Sequence, residues 1–247
     1  SVIMQMVWII VRLAPAGVLC LIARTFSTEG MEAFVPLAKY FLCVVAALAV
    51  HAIVTYSFLL KLFGGLSPII FFLKMRAAQL FAFSTASSNA TIPVTLESVQ
   101  NRLGVDNSVA SFTVPFGATI NMDGTAIMQG VATVFIAQVY GVDLSLGDFL
   151  AVIMTATLAS IGTAGVPGVG LIMLAMVLQQ VGLPVEGIAL IIGVDRLLDM
   201  MRTAVNITGD AAVTCVIAKS EGCLDAKRYA DPSAGLAPLE KPLTPNR

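Results

Sequence analysis

Between Gly193 and Asp210 the chain reads GVDRLLDMMRTAVNITGD, and this stretch restricts the possible folds more than any other. Asp195, Asp199, Arg202, Thr203, Asn206 and Asp210 stand at offsets 0, 4, 7, 8, 11 and 15. At about 100° per residue they share an arc of roughly 100° on one helical face. A single helix therefore carries a polar stripe of three carboxylates, one guanidinium and two neutral hydrogen-bonding groups. Ionisable groups are costly in a membrane helix, where they face a protein interior or a path for ions and substrate.

Composition places the stripe in that setting. Hydrophobic residues make up 57% of the chain, charged residues 12%, and the mean hydropathy is +0.91. A soluble domain carries about twice that charged fraction, so an all-α polytopic membrane protein is expected. The net charge of −1 supplies no basic field for nucleic acid. Cys20, Cys43, Cys215 and Cys223 lack metal-ligand spacing and read as small apolar fillers. The chain opens Ser-Val and turns apolar at once, without a charged n-region or cleavage site. A piece of a longer protein fits that start better than a signal peptide does.

Five apolar segments follow a first span candidate at Val2–Ala23. Phe34–Leu62 is long enough to cross a bilayer with tilt and holds the only histidine, His51, which reads as a packing residue before a proton relay. From Gly64-Gly65 and Pro68 the chain runs into Ser84–Thr95, STASSNATIPVT, a hydroxyl-rich tip between apolar arms too short to cross separately. A re-entrant hairpin with a non-helical tip is expected there; a surface Ser/Thr loop is the plainer alternative. Ser108–Tyr140 is apolar except at Asn121-Met122-Asp123-Gly124-Thr125, which predicts a discontinuous helix unwound at its middle, by Gly124 and by competing side chains. Gly147–Gly182 has a second tip, SIGTAGVPGVG at Ser160–Gly170, whose glycines and proline oppose helix. Val185–Ala218 carries the stripe, and Lys219–Arg247 is a charged tail expected to be disordered. Pro93 precedes Asn121 by 28 positions and Pro167 precedes Asp195 by the same 28, a spacing that points to inverted repeats with a site at their interface. A cytoplasmic tail would place nine Lys/Arg inside and only Arg24 and Lys39 outside.

Sodium takes hard oxygen ligands, and Asn121 with Asp123, and Asn206 with Asp210, supply two Asn/Asp pairs. Without a cation, buried carboxylates this close are costly or take a proton, which suits sodium or proton coupling. The plainer alternative has them tying unwound backbone together. Arg202 and Asp199, three apart, form either a buried ion pair or a divided site. In the divided site the guanidinium forks onto a substrate carboxylate and Asp199 takes an ammonium. An acidic amino acid presents both groups.

Four motifs in this order, SSNATIPVT, NMDGT, ASIGTAGVPG and DMMRTAVNITGD, resemble the dicarboxylate/amino acid–cation symporters, the glutamate transporter family. The resemblance runs from Val2 to about Lys219. It implies a glutamate-transporter fold with two re-entrant helical hairpins and inverted repeats, its N-terminal helices missing. Residues 1–33 become a scaffold-type helix and loop, 34–218 the mobile transport core, and 219–247 a cytoplasmic tail. The core divides into a span at 34–62, hairpin one at 67–101, a broken helix at 108–140, hairpin two at 147–182 and a last span at 185–218. Implied substrate contacts are Ser88, Thr125, Val166, Gly170, Asp199, Arg202, Thr203 and Asn206. One implied sodium site uses carbonyls of Gly117, Asn121 and Asn206 with the Asp210 carboxylate. A second uses backbone of Thr119, Met122, Ser160, Ile161 and Thr163, and a third Asn121 and Asp123 with a helix absent from this chain. The resemblance also implies a plasma or inner membrane location among lipids, a homotrimer for the full-length protein, and an elevator motion with hairpin two as outer gate.

Three departures stand out. Ala86 and Met200 occupy positions where many members keep a second arginine, and Asn89 replaces a third serine. Asp199 argues against the C4-dicarboxylate carriers and Arg202 against the neutral-amino-acid carriers of the family. The expected function is uptake of L-glutamate and L-aspartate with Na+ and/or H+ and no other cofactor. A C4-dicarboxylate or neutral-amino-acid symporter is the alternative, and a pore lined by the stripe the rival from another class. No Ser/His pairing, metal spacing or phosphate loop supports an enzyme.

Overall fold

A computed structural model describes residues 20, 23 and 34–235 of the chain. The span expected at Val2–Ala23 lies almost wholly outside the described residues. Within them the protein is helical, with no strand and one isolated antiparallel bridge between Val105 and Leu224.

Helix α1 (Phe34–Val50) continues through a π turn at His51–Thr55 into α2 (Tyr56–Gly64). Together Val35–Gly64 spans 30 residues and holds an 18-residue window of mean hydropathy 2.2, long and apolar enough to cross a membrane. Gly65 stops it with φ 61°, a left-handed cap that a Cβ would disfavour. Pro68 then opens α3 (Pro68–Thr85) at a position where its missing N–H costs nothing. Ala86 turns the chain with φ 50°, and Ser87 caps α4 (Ser88–Glu97), accepting from the Ala90 N–H. A π turn at Ser98–Arg102 leads to α5 (Asn107–Ile120), capped by Asp106. Next come α6 (Asp123–Val139), α7 (Leu146–Ile161) with a Ser145/Asp148 capping box, and α8 (Val169–Gln180). After a 3₁₀ turn at Val185–Gly187, α9 (Ile188–Ser220) runs for 33 residues, followed by the short α10 (Ala226–Ala230).

Helix α9 is the axis, packing against α1 to α6 and α8. Its C-terminal half joins an apolar core with α2, α3 and α5 that includes Leu60, Phe71, Val114, Ile207 and Ala211. Its N-terminal half joins a second core with α1, α6, α7 and α8 that includes Val44, Ile136, Ala156, Leu174 and Ile191. The polar stripe lies along the helix between and beside these two cores.

Three local details differ from the sequence reading. The first tip is far shorter than Ser84–Thr95: only Ala86 and Ser87 leave the helix, because Ser87 restarts it at once and Pro93 is tolerated inside α4. The break in the NMDGT motif falls at Asn121 and Met122, not at Gly124, which sits in the first turn of α6. The start of the tail is also ordered. Asp106 N–H bonds to the Cys223 carbonyl and Asp225 N–H to the Gly104 carbonyl, 2.9 and 2.8 Å, folding Cys223–Asp225 back along the foot of α4.

Candidate functional site

Helix α9 delivers the stripe as a buried face, with Asp195, Arg202, Thr203, Asn206 and Asp210 all buried. Arg202 is 1% exposed, and its Nη2 stands 3.0 Å from Asp195 Oδ1 and 3.0 Å from Asp199 Oδ1. Two carboxylates thus share one guanidinium. Arg202 Nε and Nη1 have no hydrogen-bond partner, so strong, preorganised donors remain uncommitted. Asp199 Oδ2 accepts the Gly168 N–H at 2.9 Å, and the Thr203 hydroxyl donates to the Asp199 carbonyl at 2.9 Å.

Seven of the eight expected substrate residues line one cavity: Ser88, Thr125, Val166, Gly170, Asp199, Thr203 and Asn206. Its free volume is about 10 Å³, room for roughly one water. Arg202, the eighth, lies immediately behind Gly170, whose Cβ position is 3.2 Å from Arg202 Nη1. Ser88 reaches the cavity because the restart at Ser87 aims the first turn of α4 inward. Thr125 reaches it because α6 begins only at Asp123.

The first expected cation set also comes together. Asn121 Nδ2 donates to Asp210 Oδ1 at 2.9 Å and to the Asn206 carbonyl at 3.2 Å. Asp210 Oδ2 is buried without a partner. Gly117 passes so close that a Cβ would stand 2.7 Å from Asp210 Oδ1; only glycine lets α5 approach the carboxylate this way. Asn206 accepts the Gly124 N–H on Oδ1 at 2.8 Å, while its Nδ2 lies 3.3 Å from Met122 Sδ. Of the second set, Met122 and Thr163 share the cavity, Ser160 is buried and linked by the Thr163 N–H to its carbonyl at 3.2 Å. Thr119 and the Ile161 side chain are exposed, leaving only their backbone to contribute.

Asp123 is held differently from the expected third set. Its Oδ2 accepts the Tyr56 hydroxyl and lies 2.8 Å from His51 Nε2, and its Oδ1 accepts the Gly124 N–H at 2.9 Å. Asn121 turns instead to Asp210. His51 and Tyr56 are five positions apart, and the π turn at His51–Thr55 sets their rings edge to face, 5.0 Å apart. Sequence reasoning left both out because an α period separates them. Asp195 was in the stripe without a role, although its offset of 7 from Arg202 puts it on the same face. Gln129 was missed too: one turn beyond Thr125, fully buried, it donates to the Gly170 carbonyl at 3.3 Å.

The chain is 45% identical to excitatory amino acid transporter 3 of Mus musculus over 217 residues, which is 87% of this chain and 42% of the relative. It is 42% identical to an excitatory amino acid transporter of Caenorhabditis elegans over 213 residues, 85% of this chain and 42% of that protein. Against the proton/glutamate-aspartate symporter of Escherichia coli K12 it is 42% identical over 219 residues, 89% of this chain and 50% of the relative. The chain thus spans about half the length, or less, of these curated relatives. Residues 1–220 match the sodium:dicarboxylate symporter family, to which this chain therefore belongs.

Proposed function

We propose that the chain is the substrate- and ion-binding part of a secondary active symporter for L-glutamate and L-aspartate, coupled to Na+ and/or H+. The observation that carries this reading is Arg202: buried, shared by Asp195 and Asp199, and with Nε and Nη1 uncommitted beside the cavity. A substrate side-chain carboxylate satisfies those donors with charge-assisted bonds. Its ammonium takes Asp199, and its α-carboxylate meets Ser88, Thr203 and Asn206. A neutral side chain would leave the guanidinium's donors desolvated and unmatched, which a site built for a polar partner rejects strongly.

The coupling ion is cargo, and Asp210 is where the donor set suits one. Its Oδ2 is buried without a partner, while Gly117 and the Asn121 amide pack against its Oδ1. The relatives named as glutamate-aspartate symporter and excitatory amino acid transporters support an acidic substrate. In this reading α3–α4 and α7–α8 are re-entrant hairpins of two inverted repeats, each with its own apolar core against α9. Apolar residues exposed on α1, α2 and α7, such as Leu42, Phe58, Leu150 and Leu158, then face lipid or the scaffold of a trimer. The C-terminus is cytoplasmic and the core moves as an elevator.

The test is uptake of labelled L-aspartate by the full-length protein in proteoliposomes under an inward sodium or proton gradient. Saturable uptake that L-glutamate suppresses and succinate or L-serine does not is the expected outcome. Preferential suppression by succinate or serine contradicts the substrate assignment, and non-saturable flux indicates a pore.

A further inference from the structure

We propose that Ser87 is a latch residue: its hydroxyl, bonded to the Gly165 carbonyl, holds the second tip closed and sets how long a substrate stays bound. The proposal rests on the substrate reading above. The cavity's free volume of about 10 Å³ is far below that of an amino acid, so a bordering segment must move to admit one. Around it three stretches leave the helices, and the break at Asn121–Met122 is tied to α9 by the Asn121 bonds to the Asn206 carbonyl and Asp210. The first tip contributes Ala86 and Ser87 alone, and it is stiffened by the Ala90 N–H bond to Ser87 Oγ and the Thr91 hydroxyl bond to the Ser87 carbonyl, 3.2 and 2.8 Å. The second contributes Gly162–Gly168, a longer run without helix, and is the segment that can lift.

Few bonds tie that segment down. The Gly165 carbonyl accepts the buried Ser87 hydroxyl at 2.7 Å and the Asn89 N–H at 3.1 Å, filling both its lone pairs. Gly168 N–H reaches Asp199 Oδ2, but a substrate ammonium competes for that carboxylate. The Ser87 and Asn89 bonds draw on no group assigned to the ligand. They also serve α4: Asn89 lies in its first turn, where N–H groups lack helical partners and favour a carbonyl's negative end. Closing the second tip therefore completes the cap of the first. Gly165 makes the approach possible, since a Cβ there would stand 2.8 Å from Asn89 Oδ1 and 3.1 Å from Asn89 N. Ser87 is accordingly a positioning residue that acts on residence time, not on selectivity.

The experiment measures L-aspartate dissociation from the full-length protein by stopped-flow chase, beside hydrogen exchange of residues 162–168 without ligand. Ser87→Ala should raise both the dissociation rate and the exchange by about tenfold, the weight of one well-placed hydrogen bond. The aspartate/glutamate/serine affinity ratios should not change. Ser87→Thr, which keeps the hydroxyl and the cap, should restore wild-type rates. Gly165→Ala should act in the same direction as Ser87→Ala while leaving Ser87's own cap of α4 intact. Unchanged exchange and dissociation in Ser87→Ala, or no rescue by threonine, overturns the latch. Altered selectivity would place Ser87 on the ligand and overturn it too. Wild-type protein that binds no acidic amino acid refutes the substrate reading instead, and the exchange comparison still decides the latch.

Discussion

Arg202 is a buried cation set between two carboxylates. Asp195 and Asp199 both lie 3.0 Å from the same Nη2, an arrangement in which the arginine neutralises one carboxylate and the second awaits a cationic partner. Replacing Arg202 by alanine leaves two carboxylates facing an apolar core, and breaking a buried pair typically costs about 3–5 kcal/mol. The substrate consequence should be separable from the stability cost. Arg202→Ala should weaken L-glutamate affinity at least about 100-fold, on the scale of a lost charge-assisted fork, and admit neutral amino acids in its place. Arg202→Lys should keep the fold but not recover full affinity, because an ammonium lacks the planar fork. Calorimetric titration with glutamate and serine checks both, and undiminished glutamate affinity in the alanine variant removes Arg202 from the site. This much was legible in the sequence, because the offsets of the stripe alone put Asp195, Asp199 and Arg202 on one face. What the offsets did not disclose was how Asp123 is held. His51 and Tyr56 meet it only because a π turn changes the local period.

At the scale of elements, the outlines of the helices followed from apolar runs, caps and glycines, while their interruptions were harder to place. The break at Asn121–Met122 was displaced toward Gly124 because glycine is the stronger local signal. In the folded chain Asn121 gives up helix geometry to bond Asp210 and Asn206, a tertiary gain that no local pattern records. The tail shows the same limit. Its charge and prolines suggested disorder, yet Lys74, only 4% exposed, anchors its first part at Arg228 and Tyr229. The Lys74 ammonium donates to the carbonyls of Arg102, Arg228 and Tyr229 at 2.6, 2.6 and 2.9 Å, and the Tyr229 hydroxyl donates to Ser67. One cation thereby joins both feet of the first helix pair to the segment after α9, its charge met by helix-end carbonyls. Lys74→Met should orphan those carbonyls at a cost of about 2 kcal/mol, lowering the melting temperature by roughly 4–8 °C. It should also expose residues 221–235 to protease. Melting and limited proteolysis of the detergent-purified protein check this, and an unchanged digestion pattern contradicts the clasp.

Across the whole molecule, α9 separates two apolar cores, one gathered around α3 and the other around α7 and α8. The polar groups of the stripe face the seam where the two tips meet, so the substrate and ion donors proposed above come from residues far apart in the sequence. Ser88 and Asn206 share a cavity with Val166 because each helix pair contributes its tip and α9 its middle. The most direct test is calorimetric titration of L-aspartate into the full-length protein with sodium, then with choline in its place at fixed pH, in wild type and Asp210→Asn. The account predicts tight binding with sodium, loss of binding in choline unless lowering the pH restores it, and a weakened cation dependence in the variant. Binding of equal strength with sodium or choline at every pH, in both proteins, would contradict it.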